Sequence, residues 1–398
     1  MFDAIVIGGG LSGAVFAHHF SKSGKVLILE KADRLGGAIH TVRPFGGAFF
    51  AELGAHTIYN SYLALIRIID ELFPASSVIA NKSRGYLIKA GGSFYSIASQ
   101  LSLWGLARGA LRLPFCTKDA KSVREYYSIF GKNYERVILP ALSAIICQDA
   151  SEIAADIIMK RRSAKRTDYP RSFTLTGGIS ALIEKIAAQD NITVNLSTAA
   201  EKAIKTDNGY TVITSLGEEI RAERLVIAVD ALEAAKLLEW AGDIPKILNS
   251  IPASNSRALL FAAKKVDYTF PLFGYIISRD GDFRGAVSRD QTADDEYRAA
   301  ALHFLDGEDN IYDAFSKLKP LLQIAPEADI FTQTERFCLP RLFTGHVERM
   351  KKVEELLKGI KNLHLLGNYF GGLSMQDCAA RAADEAERAI NAKRGFNV

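Results

Sequence analysis

A chain of 398 residues has room for two or three domains, and 48% hydrophobic with 24% charged residues is an ordinary globular composition. The formal net charge of +4 is too small and too dispersed to mark a nucleic-acid surface. No run of about 18 uncharged apolar residues is present, so no transmembrane helix is expected. Cys116, Cys147, Cys338 and Cys378 show neither Cys-x-x-C nor zinc spacing. They read as reduced, mostly buried thiols of a cytoplasmic protein, and no metal site is expected. The chain enters an apolar strand at once, without a basic leader, so no signal peptide is expected.

The first elements are read from "FDAIVIGGGLSGAVFAHHFSKSGKVLILEK". An apolar strand, Asp3 to Ile7, runs into the turn Gly8-Gly9-Gly10-Leu11-Ser12-Gly13. An amphipathic helix follows to about Ser23, then a second strand from Lys25 to Leu29 that ends in Glu30. Strand, glycine turn, helix, strand and acid in this register form a dinucleotide fingerprint. Gly8 permits the tight turn, Gly10 lets backbone approach a pyrophosphate, and Gly13 lets the helix pack on the strand. The helix N-terminus offers amide donors and positive dipole to phosphates. Glu30 stands where an acid binds ribose hydroxyls. A second glycine pair, Gly36-Gly37, follows in "EKADRLGGAIHTV", and small and short polar residues recur in "AELGAHTIYN" (51–60).

Beyond this the spacing of Leu63, Ile66, Ile69 and Leu72 predicts a helix over 61–74. "GYLIKAGGSFYSI" (85–97) reads as a hairpin turning near Gly91-Gly92. Residues 98–170 read as largely helical, with Pro140 interrupting. Within 96–115, Trp104, Arg108 and Arg112 punctuate an apolar stretch. It suits either a peripheral membrane contact or a buried amphipathic helix or lid. "FTLTGGISALIEKIAAQ" (173–189) reads as loop, glycine pair and helix. Short strands follow, with turns at Asp207-Asn208-Gly209 and Gly217-Glu218. "VEELLKGIKNLHLLGNYFGG" reads as helix, turn, strand and a second glycine-rich turn, with an Ala-rich helix from about Asp377. One domain is thus expected from 1–60, 173–245 and 345–398. The other is expected from 61–172 and 246–344, with the active site between them.

Three stretches carry a family resemblance. The segment after Glu30 resembles the extended fingerprint of the FAD-containing amine oxidase clan. "SVREYYSIFGKNYERVILPALSAIICQD", "SFTLTGGISALIEKI" and "TGHVERMKKVEELLKGIKNLHLLGNYFGGLSMQDC" together resemble bacterial protoporphyrinogen oxidases. The resemblance implies an α/β fold: a Rossmann-like FAD-binding domain of the amine oxidase type with a discontinuous α+β substrate domain. It implies an oxidoreductase with non-covalent FAD, hydride transfer from a small organic substrate to flavin N5, and O2 or another electron acceptor. It also implies membrane association through the helical domain. Carried onto this chain, the cofactor contacts are Gly8, Gly10, Ser12, Gly13, Glu30, Lys31, Arg34, Gly36, Gly37, Ala38, Gly54, Ala55, His56, Gly367, Asn368 and Met375. His56, Tyr59 and Tyr369, with Phe370, are candidates for lining the ring. The Ala-rich helix would direct its positive end at the flavin. No separate base is required.

Departures accompany the resemblance. Ala38 stands where many members carry arginine. Tyr59 stands where many relatives carry an arginine for a porphyrin propionate, and the tract between Ala150 and Gly177-Gly178 is short. "GLSGAVFAHHF", "LEKADRLGGAIHT" and "GAHTIYNS" also resemble UDP-galactopyranose mutase, an isomerase that needs arginines for a diphosphate. Arg161, Arg162, Arg166 or Arg171 would supply them, unless "KRRSAKRTDYPR" is a solvated basic face. The Trp-Ser-Gly-Tyr type of segment that frames an amine oxidase's aromatic cage is not found. A flavoprotein used only for binding is a further alternative. His346 reads as structural. No second G-x-G-x-x-G turn for NAD(P)H is seen.

Overall fold

The computed structural model describes residues 2–47, 49–82, 84–158, 160, 162–290, 294–305 and 311–393. Strand β1 (Phe2–Ile7), helix α1 (Leu11–Phe20) and strand β2 (Val26–Leu29) follow one another in the predicted order, but α1 is buried on nearly every side instead of amphipathic, because it lies between the sheet and the terminal helix. β1 lies between β2 and strand Glu219–Ile227, both parallel to it, with Val6 opposite Ile28 and Val226. Ile192–Asn195 continues the parallel sheet beyond β2, and Leu363–Leu365 continues it beyond Glu219–Ile227. The central strands are unbroken apolar runs because both faces are covered. On one face Val15, Phe16, Ala17 and Phe20 of α1 pack with Ala379, Ala382, Ala386 and Ala389 of the terminal helix, Met375–Lys393. The other face holds Ala234 and Leu238 with Met350 and Val353 of helix His346–Leu357. The hairpin of Ala200–Thr206 and Gly209–Thr214 widens this sheet antiparallel, turning at Gly209 as expected.

A second sheet runs in the order Phe331–Pro340, Ala253–Lys264, Tyr297–Leu305, Gly285–Ser288, Tyr275–Ser278, Tyr86–Ala90 and Ser93–Ser96. Its last two strands are the predicted hairpin. Two small sheets lie alongside. One pairs Thr41–Val42 with Ala51–Glu52, and the other pairs Ser172–Leu175 with both Ile58–Tyr59 and Val78–Ala80. Residues 172–175 are therefore strand, where the sequence suggested a loop.

Three further expectations need correction. The tract 98–170 is helical only to Ile145, the end of helix Leu139–Ile145. Pro140 does interrupt the regular ladder, as expected: the helical run is continuous over 132–145, but a π-helical turn, Tyr134–Ile138, stands directly before the proline, which has no N–H to donate. Cys147, in the left-handed region at φ 53°, follows the helix end. The chain beyond bonds to neighbours instead, with Ala154 N donating to Leu342 O at 2.9 Å. Helix Leu103–Arg112 is not a buried amphipathic helix: only Gly105 and Gly109 are buried in it, while Trp104 is 78% exposed. The four cysteines are free, with Cys338 exposed and the others half-buried, less buried than their composition suggested. Among the described residues no helix is long and apolar enough to cross a membrane.

Candidate functional site

All five parallel strands end at one edge of the first sheet, and the glycine turns cluster there. Gly8 has φ 104°, and a Cβ on it would lie 2.6 Å from Ala228 O at the end of the neighbouring strand. A Cβ on Gly13 would lie 2.0 Å from Gly8 O, so helix and turn meet in direct backbone contact. These two glycines answer to the protein's own packing. Gly10 does not: the nearest atom to a Cβ there is Gly37 Cα at 4.0 Å. Gly37 likewise meets only Gly10 Cα, at 3.4 Å. The two turns are bridged by Gly36 N donating to Gly9 O at 2.9 Å. Two facing glycines with open space between chain and solvent fit a ligand that must touch backbone.

The Glu30 carboxylate accepts from Gly9 N at 2.7 Å and from Ala32 N at 2.9 Å. Each oxygen keeps a further acceptor position for a hydroxyl. Arg34 turns back onto its own loop, donating to Leu35 O, Ile39 O and Gly37 O, and pairs with Glu335 at 2.9 Å. His40 bonds the same carboxylate. Arg34 thus braces the second glycine pair against strand Phe331–Pro340 of the other sheet, and does not point a free guanidinium at a phosphate. Lys31 and Ala38 are exposed beside it.

The C-terminal glycine turn is placed by α1. The Ser12 hydroxyl bonds the Cys378 thiol, whose pKa burial pushes up to about 12. At the far ends, Lys393 Nζ reaches Ser23 O at 2.8 Å. The two helices therefore run parallel and present their positive N-terminal ends side by side at the same crevice. Ala14, Ala17, Ala382 and Ala386 between them permit the close approach. The terminal helix starts at Met375, two residues before the predicted position, because Ser374 caps it by accepting from Asp377 N at 3.1 Å. Gly367 and Asn368 are half-buried at the preceding turn.

The segment 51–56 runs beside residues 38–42, just after the second glycine pair. Leu53 N bonds His40 O at 2.8 Å, and Ala55 N bonds Ala38 O at 2.9 Å. A Cβ on Gly54 would lie 2.0 Å from Ala38 O. His56 follows, half-buried, with Nδ1 2.9 Å from Thr57 Oγ1. Burial, together with Arg289 and His303, holds its pKa well below the ordinary value, so it is neutral.

The other candidates separate. Tyr59 is 41% exposed, its ring 5.4 Å from that of Tyr62 at the rim. Tyr369 lines no open face: it is fully buried, its ring against Gly367 and 5.0 Å from that of Phe370, which is also buried. His346 is fully buried and donates to Tyr369 O, the structural role expected. Arg162 donates to Ser374 Oγ at 2.9 Å and Asp377 Oδ1 at 2.8 Å, so its charge is spent at the terminal helix. Arg166 pairs with Asp70 and Asp168, and Arg171 is exposed. Arg161 lies outside the described residues. Arg289, Asn81 and Thr174 line a cavity with His56, and Arg289 acts on the buried His303; they come from separate stretches and no local motif marks them.

Comparison with known proteins agrees with this geometry. Residues 6–72 match the model of the NAD(P)-binding Rossmann-like domain. Human protoporphyrinogen oxidase is 44% identical over 57 residues, which is 14% of this chain and 12% of that protein. UDP-galactopyranose mutase of Mycoplasma pneumoniae is 35% identical over 74 residues, 18% of each chain. These curated relatives are thus matched over less than a fifth of their length. Among solved structures, a protein of Exiguobacterium sp. 255-15 provisionally named protoporphyrinogen oxidase superposes with a TM-score of 0.79 at 17% identity, covering 97% of this chain and 98% of that one. Reduced UDP-galactopyranose mutase superposes with a TM-score of 0.75 at 14% identity, covering 100% and 96%. The chain is a mixed α/β protein that opens on an NAD(P)-binding Rossmann-like domain and shares its whole fold with these structures.

Proposed function

We propose that the chain binds FAD non-covalently and is an oxidoreductase that takes a hydride from a small organic substrate, in the manner of protoporphyrinogen oxidase. One observation carries the reading: a Cβ on Gly10 or Gly37 would meet no protein atom but the other glycine's Cα, at 4.0 and 3.4 Å, at the mouth of two parallel helix N-termini. Gly8, Gly10, Ser12 and Gly13 would hold the pyrophosphate, Glu30 the ribose, and Gly36, Gly37, Gly54 and Ala55 the path toward the ring. FAD, when bound, supplies the hydride acceptor; O2 or another acceptor takes the electrons onward. The protein's part is to orient the substrate and exclude water. The paired positive helix ends favour negative charge in the crevice. The proposed site lies between the first sheet and the second. The test is porphyrin fluorescence of FAD-loaded protein mixed with protoporphyrinogen IX in air, against a protein-free control. A rise proportional to protein supports the oxidase; a trace no steeper than the control refutes that substrate.

A UDP-galactopyranose mutase-like isomerase is the second reading, favoured by the structural likeness of that enzyme over the whole chain. The pairing of Arg162 and Arg166 with acids weighs against it. Conversion of a UDP-sugar by dithionite-reduced protein, without net oxidation, would establish it.

We also propose a cytoplasmic protein that touches membranes at helix Leu103–Arg112. Leu103, Trp104, Leu111 and Phe115 are each at least 75% exposed, and Arg108 and Arg112 are exposed among them. Apolar anchors with basic neighbours suit an anionic bilayer surface.

A further inference from the structure

A buried arginine beside the segment 51–56 has terminal nitrogens with nothing to bind. Arg289 follows strand Gly285–Ser288 and is 6% exposed. Its Nε donates to the backbone carbonyl of Glu52. Both terminal nitrogens, Nη1 and Nη2, lack a hydrogen-bond partner among the described residues. The Glu52 carboxyl does not serve them, being held by Ile179 N at 2.7 Å and the Thr41 hydroxyl at 2.9 Å. A narrow cavity opens here, lined by Arg289, His56, Asn81 and Thr174 among others. The Asn81 amide nitrogen and oxygen and the Thr174 hydroxyl are also unpartnered among the described residues. Next to Arg289, His303 is buried with Nδ1 unpartnered, held neutral by burial and by the arginine's charge.

Buried polar groups are nearly always satisfied, and a buried charge without a partner is the most costly exception. Here one guanidinium fork, one amide and one hydroxyl are left open on a single cavity. They were gathered from stretches far apart in the sequence. Burial lowers the pKa of Arg289 only to about 10, so it remains charged at neutral pH. Two adjacent N–H groups on a rigid plane match the two oxygens of a carboxylate.

We propose that Arg289 anchors a carboxylate of the organic substrate, with Asn81 and Thr174 as accessory donors. The anchor sits against Glu52, in the segment whose Gly54 and Ala55 pack on Ala38, just after the second glycine pair. A carboxylate held there would lay the remainder of the substrate along the proposed flavin crevice; for that adjacency the inference rests on the flavin reading. Arg289 thereby supplies the anionic recognition that Tyr59 cannot.

The test is isothermal titration of FAD-loaded protein with acetate and benzoate, against acetamide and benzamide as neutral counterparts. Melting temperature and flavin content are measured in parallel. The wild type should bind the acids and not the amides. Arg289→Gln should weaken benzoate about a hundredfold, and Arg289→Lys, which keeps charge without the fork, about tenfold. Arg289→Gln should retain FAD and, without ligand, melt within a few degrees of the wild type, because loss of the attraction to Glu52 is offset by removal of a buried charge whose terminal nitrogens are unbonded. Failure of the wild type to bind either acid overturns the proposal, as does equal binding by Arg289→Gln. Loss of FAD in that variant overturns it too, since Arg289 then serves the cofactor. UDP binding that depends on Arg289, without carboxylate binding, reassigns the cavity to a diphosphate and overturns the proposal. Arg289-dependent benzoate binding by a protein that takes up no FAD would sink the flavin reading and leave the anchor standing.

Discussion

Gly10 and Gly13 stand three positions apart and answer to different forces. Gly13 has a backbone oxygen where its Cβ would go, so Gly13→Ala should destabilise the fold by about 3 kcal/mol or more, through overpacking. Gly10 has open space, so Gly10→Val should leave the melting temperature within a few degrees of wild type yet abolish FAD retention. Thermal denaturation with flavin absorbance reads both, and a Gly10→Val protein that keeps its flavin would contradict the assignment. The fingerprint was legible because its glycines are set by local geometry. Arg289 was not, because its cavity partners His56, Asn81 and Thr174 are brought together only by the fold. Tyr369 shows the opposite limit: sequence places it beside the right turn but cannot say which side of the chain its ring takes. The ring went into the core.

At the scale of elements, the terminal helix is the second half of the site. Its alanines set the distance to α1, and Ser374 sets where it starts. Ala382→Leu should push the helices apart at a cost of about 1–3 kcal/mol and loosen FAD binding. Ser374→Ala should cost about 1 kcal/mol through loss of the cap. Denaturant titration with flavin fluorescence separates the two effects: a stable Ala382→Leu protein with unchanged FAD affinity would show that the helix end does not matter to the cofactor. Glu335 links the second sheet to the loop of Gly36-Gly37 through Arg34 and His40. Its substitution by Gln should weaken FAD binding severalfold without exposing the core. The glycine-turn helices were legible from the glycine turns that precede them; α1 has no side-chain cap and is buried on nearly every side, so neither cap nor period marked it. The tract after Ile145 was not: its spacing of apolar residues served contacts with Leu342 and Phe343 instead of a helix face.

At the scale of the whole molecule, five histidines couple stability to pH. Burial holds His18, His56 and His346 below the ordinary 6.5, and draws His19 to about 4 and His303 to about 3. Below pH 6.5 the unfolded chain takes up protons that the native state refuses. Stability is therefore full above about pH 6.5 and falls as the pH drops from there toward 4, by up to about 1.4 kcal/mol per pH unit for each excluded proton. Glu52 and Asp384, whose pKa burial raises, act in the opposite sense but are two groups against five. The melting temperature should be lower at pH 5 than at pH 7.5, and equal values would contradict this balance. The exposed apolar helix near Trp104 makes a separate prediction. The protein should sediment with vesicles containing phosphatidylserine, and Trp104→Ala with Phe115→Ala should release it; sedimentation unaffected by both changes would contradict the contact.

The measurement that bears most directly on the central claim is titration of FAD into flavin-free protein, followed by flavin absorbance and fluorescence. A crevice built from Gly10, Gly37 and two parallel helix ends predicts saturable uptake of one FAD per chain, lost in Gly10→Val. A protein that stays colourless and leaves FAD fluorescence unchanged would contradict the account.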